Sequence, residues 1–103
     1  MDFDQVKFLT EFKNRLNEDL KTLSTSESEH ETRIQSLQNQ LQNAIESGTN
    51  ATVGTLPVTV FLEQQIKIAK SNLTAFQNTR RERELEIQEQ IKMVDESLEI
   101  LLR

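Results

Sequence analysis

The chain has 103 residues, a formal net charge of −5, and no cysteine, tryptophan or tyrosine. This length predicts a single domain with a small apolar core, and the lack of thiols excludes disulfide and thiolate-metal frameworks. Acidic residues are spread along the chain, so most of its surface would repel nucleic acid. Two glycines, one proline and many Glu, Gln, Leu, Lys and Arg residues favour long helices. We therefore expect an all-α protein.

The opening segment "MDFDQVKFLTEF" is acidic and interrupted by polar residues, unlike a signal peptide. No apolar run in the sequence reaches the roughly 18 residues of a membrane span. These features predict a cytoplasmic or nuclear protein without a membrane span.

A first helix is predicted over about residues 2–47. Asp2 and Gln5 have the spacing of a capping box, and Gly48 suits the left-handed residue that follows a helix. Apolar residues recur at steps of three and four, which places them on one face of the helix. They are Leu9, Phe12, Leu16, Leu20, Leu23, Ile34, Leu37, Leu41 and Ala44.

A second helix is predicted over about residues 58–102, after a loop at about 48–57. Pro57 suits its first turn, and Thr59 is an alternative cap. Its apolar stripe has the same spacing of three and four residues. The members are Leu62, Ile66, Ala69, Leu73, Phe76, Ile87, Ile91, Val94, Leu98 and Leu101.

Both stripes become polar in the middle, through Glu27 and His30 in the first helix and through Arg80 and either Arg83 or Glu84 in the second. The capping-box pattern "STSE" leaves open a kink or break near residues 24–32. When the chain folds back on itself, residues pair where their numbers total about 105, and polar then meets polar. We therefore expect an antiparallel helical hairpin or coiled coil, completed to a bundle by oligomerisation or by partner chains.

The open end of this hairpin carries more apolar residues than one helix-helix seam can bury. Burial of a large apolar side chain contributes about 1.5–3 kcal/mol, so a partner would gain most here. The predicted partner-binding residues are Phe3, Val6, Phe8, Phe12, Leu98, Ile100, Leu101 and Leu102.

The connecting stretch "TVGTLPVTVF" is richer in β-branched residues than a plain helix connection needs. It has two interpretations: a passive loop that folds over the bundle end, or a docking segment or short strand that pairs with a partner. The secondary partner-binding candidates are Val53, Leu56, Val58, Val60 and Phe61.

Motifs for catalysis or metal binding are weak. Glu27 and His30 have the Glu-x-x-His spacing of di-iron bundles, but the level opposite them offers no carboxylate. The single histidine has no adjacent nucleophile, and no phosphate-binding glycine loop is present in the sequence. We expect a non-enzymatic protein with no cofactor, metal or small-molecule substrate.

The resulting hypothesis is a scaffold or tethering subunit of a multi-subunit assembly, formed with other helical chains or as a homodimer. The order helix, β-like link, helix also resembles the outline of prefoldin-type chaperone subunits. That resemblance implies an alternative function, a chaperone or assembly-factor hairpin that binds clients at its helix ends.

Overall fold

The computed structural model describes residues 3–103 and consists of two long helices joined by a small β-hairpin. Helix α1 spans Gln5–Ser47 and helix α2 spans Val58–Leu101. Strands β1 (Thr52–Val53) and β2 (Leu56–Pro57) lie between them. The predicted helical hairpin of two long helices is therefore confirmed.

The hairpin divides into two compact units. The terminal unit contains the chain up to Thr25 together with Asn78–Arg103, and the loop unit is Ser26–Gln77. Both divisions fall within the stretch where the predicted seams become polar.

In the terminal unit the core contains Leu16 from α1 and Ile87 and Val94 from α2. Ile87 is fully buried, at 0% exposure. The helices run antiparallel here, because Lys13 forms an ion pair with Asp95 and Asp19 forms one with Arg83. Each pair of residue numbers totals close to 105, as the fold-back register predicts.

In the loop unit the core contains Ile34 of α1 and part of the predicted apolar stripe of α2. The buried members of that stripe are Leu62, Ile66 and Ala69. All seven buried hydrophobic residues among residues 3–103 lie on the predicted apolar stripes, which confirms the three-and-four periodicity as the origin of the core. Each large side chain contributes about 1.5–3 kcal/mol on burial.

Helix α1 begins after Asp4. The Asp4 carboxylate accepts a hydrogen bond of 3.0 Å from the backbone N–H of Lys7, which is the N-cap interaction. The predicted cap at Asp2 lies outside the described residues. Helix α1 continues without interruption through residues 24–32, so the helix is not broken there. It ends before Gly48, which has the expected left-handed φ of 62°.

The β-hairpin has a two-residue turn formed by Gly54 and Thr55. Thr52 pairs with Pro57 and Val53 with Leu56. Gly54 has a φ of 61°, whereas no non-glycine residue of the described chain has a positive φ. This combination in a two-residue loop is that of a type II′ turn, whose twist matches the strands that it joins. The N–H of Val58 then donates to the carbonyl of Ala51 at 2.9 Å, so the pairing extends to the first residue of α2.

Candidate partner-binding surfaces

Three phenylalanine rings form a ladder at the start of α1. The ring centroids of Phe3 and Phe8 lie 5.4 Å apart, and those of Phe8 and Phe12 lie 5.9 Å apart. Phe8 and Phe12 meet because residues four apart share one face of a helix. Phe3 is 71% and Phe8 48% exposed, whereas Phe12 is half-buried. The rings stabilise one another at distances typical of aromatic pairs and still present a large apolar face to solvent.

The last turn of α2 adds a second group of apolar side chains to the terminal unit. Ile100 and Leu102 are 67% and 69% exposed, and Leu101 is 41% exposed. Leu102 directly follows the end of α2, and its N–H still bonds to the carbonyl of Leu98. The three consecutive side chains therefore point in three directions and cannot all face α1. The remaining predicted residues of this surface, Val6 and Leu98, are half-buried. We call the eight residues together the open-end surface: Phe3, Val6, Phe8, Phe12, Leu98, Ile100, Leu101 and Leu102.

Ion pairs across the terminal unit fix the register of its helices. Lys13 Nζ lies 2.6 Å from Asp95 Oδ1, and Arg83 lies 3.9 Å from Asp19. These side chains are 36–48% exposed, so each pair contributes at most about 1 kcal/mol. Their role is mainly to specify which residues of α1 and α2 face each other.

The basic cluster "RRER" at residues 80–83 is largely neutralised by neighbouring carboxylates. Arg80 pairs with Glu84 at 3.5 Å, and Arg83 pairs with Glu86 at 3.2 Å as well as with Asp19. Arg80 and Glu84 are half-buried on the seam, whereas Arg83 is exposed. The structure therefore selects Glu84, and not Arg83, as the seam position after Arg80.

The polar middle of the seam in the loop unit contains the histidine. The His30 ring lies 5.1 Å from the ring of Phe76, at an interplanar angle of 37°. One turn earlier, Glu27 Oε1 accepts a hydrogen bond of 2.9 Å from Gln77 Nε2. Residues 3–103 contain no group of three or more side chains placed to hold a metal ion.

The β-hairpin forms one wall of an open, mainly apolar groove in the loop unit. The apolar side chains that line it are Ala44, Ala51, Val53, Val58, Phe61 and Leu62. Val53, Val58 and Phe61 were predicted as secondary partner-binding candidates. The other two candidates, Leu56 and Val60, do not line the groove; Leu56 is half-buried and Val60 is 37% exposed.

Other exposed apolar residues lie outside both predicted sets. Ile68 is 52%, Leu85 57% and Met93 66% exposed. Periodicity did not select them because they fall off the stripe that forms the core. In the sequence they form a second, more widely spaced series of apolar residues along α2.

Comparisons of the chain with protein-family models, with curated proteins and with solved structures find no match. Across residues 3–103, neither helix combines the length and the apolar character needed to cross a membrane.

Proposed function

We propose that the chain is a non-enzymatic protein-interaction subunit, a scaffold or tethering component of a multi-subunit assembly. The observation that carries this proposal is the exposed apolar surface at the open end. Phe3, Phe8, Ile100 and Leu102 each expose about half or more of their surface to solvent. A concentration of exposed apolar side chains of this kind is typical of a protein-protein interface.

The distribution of apolar residues also supports assembly. Among the described residues, seven hydrophobic side chains are buried and eleven large ones are exposed. A two-helix hairpin has only one seam and buries few side chains, so further helices would bury what this seam leaves open. Helical partner chains or a second copy of the hairpin are both suitable. A chain without cysteine suits the reducing cytoplasm or nucleus, where we expect it to act.

A second candidate function is favoured by the β-hairpin. A β element between two long helices is the outline that this chain shares with prefoldin-type chaperone subunits. In that function the open-end surface would hold unfolded clients transiently instead of a fixed partner. The two functions differ in stoichiometry, because a scaffold forms a stable complex of defined composition and a chaperone binds many clients weakly.

The test begins with the mass of the isolated chain, measured by light scattering, and with purification of its complexes from cells. We then compare two double variants in the same co-purification. Phe8→Ala with Phe12→Ala should weaken association by about 2 kcal/mol or more, because buried aromatic residues dominate interfaces. Leu56→Ser with Val58→Ser is the matched variant at the loop, and we expect it to retain the partner.

The result distinguishes the surfaces and the functions. Circular dichroism must show that both variants keep their helix content. Loss of the partner in the loop variant alone would place the interface at the β-hairpin. Recovery of many substoichiometric proteins, in place of a complex of fixed composition, would favour the chaperone function.

A further inference from the structure

Helix α2 carries a second face that its packing leaves open. Because each helical residue advances about 100°, Leu85 lies about 200° from the fully buried Ile87, and Met93 lies about 100° from the buried Val94. Leu85, Met93 and Ile100 therefore share a sector of about 120° that is separate from the seam. All three are more than half exposed.

Carboxylates alternate with these apolar residues. The order Leu85, Glu89, Met93, Glu96, Ile100 advances by steps of four, four, three and four, which makes each residue the neighbour of the next on the helix surface. Glu82 and Glu86 lie in the same sector and are exposed. We call this set the acidic stripe: Glu82, Leu85, Glu86, Glu89, Met93, Glu96 and Ile100.

The charges of the acidic stripe are mostly unneutralised. Glu86 pairs with Arg83 at 3.2 Å. Glu82, Glu89 and Glu96 form no ion pair with any of residues 3–103. Lys92 stands just outside the sector, one heptad after Leu85. Between residues 82 and 100 the sector thus holds four carboxylates and no cation.

From this arrangement we infer that the acidic stripe docks a basic amphipathic helix of a partner protein. Leucine-type side chains of such a helix would cover Leu85 and Met93. Its flanking lysines or arginines would pair with the carboxylates that have no ion pair, those of Glu82, Glu89 and Glu96. A second copy of this chain is disfavoured, because two acidic stripes would place carboxylates against carboxylates. The inference rests on the proposed function as a protein-interaction subunit and names the chemistry of one partner.

The stripe is distinct from the open-end surface except at Ile100. The test therefore uses only positions that the two surfaces do not share. In one variant Glu82, Glu89 and Glu96 are all changed to Gln; in the other, Leu85→Ser is combined with Met93→Ser. A matched control changes Glu29, Glu31 and Glu63 to Gln, three exposed glutamates of the loop unit, and alters the net charge by the same amount.

The probe is a fluorescent synthetic peptide, an amphipathic helix with leucines at steps of three and four flanked by lysines. A second peptide has the same leucines flanked by glutamates. Anisotropy titrations of the full chain should show binding of the lysine peptide that weakens with added salt. The 82/89/96 variant should weaken it roughly fivefold or more, as the loss of three exposed ion pairs implies, and the control by less than about twofold.

Several outcomes would overturn the inference. Equal loss of binding in the 82/89/96 variant and in its control would show that the peptide responds only to the net charge of the chain and not to the acidic stripe. Undiminished binding by the Leu85 and Met93 variant would show that the apolar residues take no part. Equal binding of the glutamate peptide would remove the role of charge, and loss of self-association in the stripe variants would make the occupant a second copy. The Phe8 and Phe12 variant should bind the lysine peptide normally, so failure of the open-end proposal is visible separately.

Discussion

Gln77 Nε2 donates a hydrogen bond of 2.9 Å to Glu27 Oε1, joining two helices through residues 50 positions apart in the sequence. Next to it, the His30 ring packs against Phe76. Both pairs have residue numbers that total close to 105, the register found for Lys13 with Asp95 and for Asp19 with Arg83. Polar and aromatic contacts thus maintain the antiparallel register where the apolar stripes are interrupted.

This register predicts the outcome of cross-linking. Lys13→Cys with Asp95→Cys should react with a short bismaleimide within a single chain, because the native side chains are in contact. The chain has no other cysteine, so single-cysteine variants are complete controls. Gel analysis over a series of protein dilutions measures the result. The same topology predicts an intrachain link between cysteines at Leu9 and Val94, and products that remain intermolecular at every dilution would refute the hairpin.

Two neighbouring residues on α2 test the position of the core. Ile87→Ala removes a side chain that is 0% exposed and should lower the free energy of unfolding by about 2–5 kcal/mol. Leu85→Ala removes a similar volume from a side chain that is 57% exposed and should change it by no more than about 0.5 kcal/mol. Urea unfolding of the isolated chain, followed by circular dichroism, measures both. If both variants lowered the free energy of unfolding by similar amounts, Ile87 would not lie in the seam between the two helices.

The sequence predicts the core because the core depends on one simple quantity, the spacing of apolar residues. Leu16, Ile34 and Ile87 are buried because steps of three and four keep them on one face of a helix. The same rule was unable to choose between Arg83 and Glu84, since it allows either step after Arg80. The structure decides for Glu84, which is half-buried beside Arg80.

Features that depend on a few backbone atoms were harder to predict. The capping-box spacing with Gln5 predicts a cap at Asp2, which lies outside the described residues, whereas the structure shows the N-cap hydrogen bond at Asp4. The sequence leaves the link as either a loop or a short strand; the structure forms two short strands there, and the position of their turn follows from the φ of Gly54. Leu85 and Met93 lie on a second face of α2, which the periodicity of the core stripe does not reveal. The open-end and loop residues remain predicted interfaces.

The cap gives a prediction of its own. Asp4→Ala should destabilise the start of α1 by about 0.5–2 kcal/mol, because the N–H of Lys7 loses its acceptor. Asp2→Ala is the matched variant, since it removes the same carboxylate from the position that the capping-box pattern favours. Amide hydrogen exchange at Lys7 and Phe8 measures the local effect. A larger effect of Asp2→Ala than of Asp4→Ala would assign the cap to Asp2.

The turn of the β-hairpin gives the last prediction. Gly54 has a φ of 61°, and a Cβ built there meets no atom within 4 Å, so Gly54→Ala introduces backbone strain without a steric clash. Holding a non-glycine residue in such a sparsely populated backbone region costs about 1–3 kcal/mol. It should open the hairpin and reduce the exchange protection of the Val58 N–H, which is bonded to the Ala51 carbonyl. Thr55→Ala, in the same turn but without a positive φ, should leave that protection unchanged. If Gly54→Ala instead preserves the protection of Val58, the type II′ turn does not control the pairing of β1 with β2, and the link would be held by its contacts with the helices.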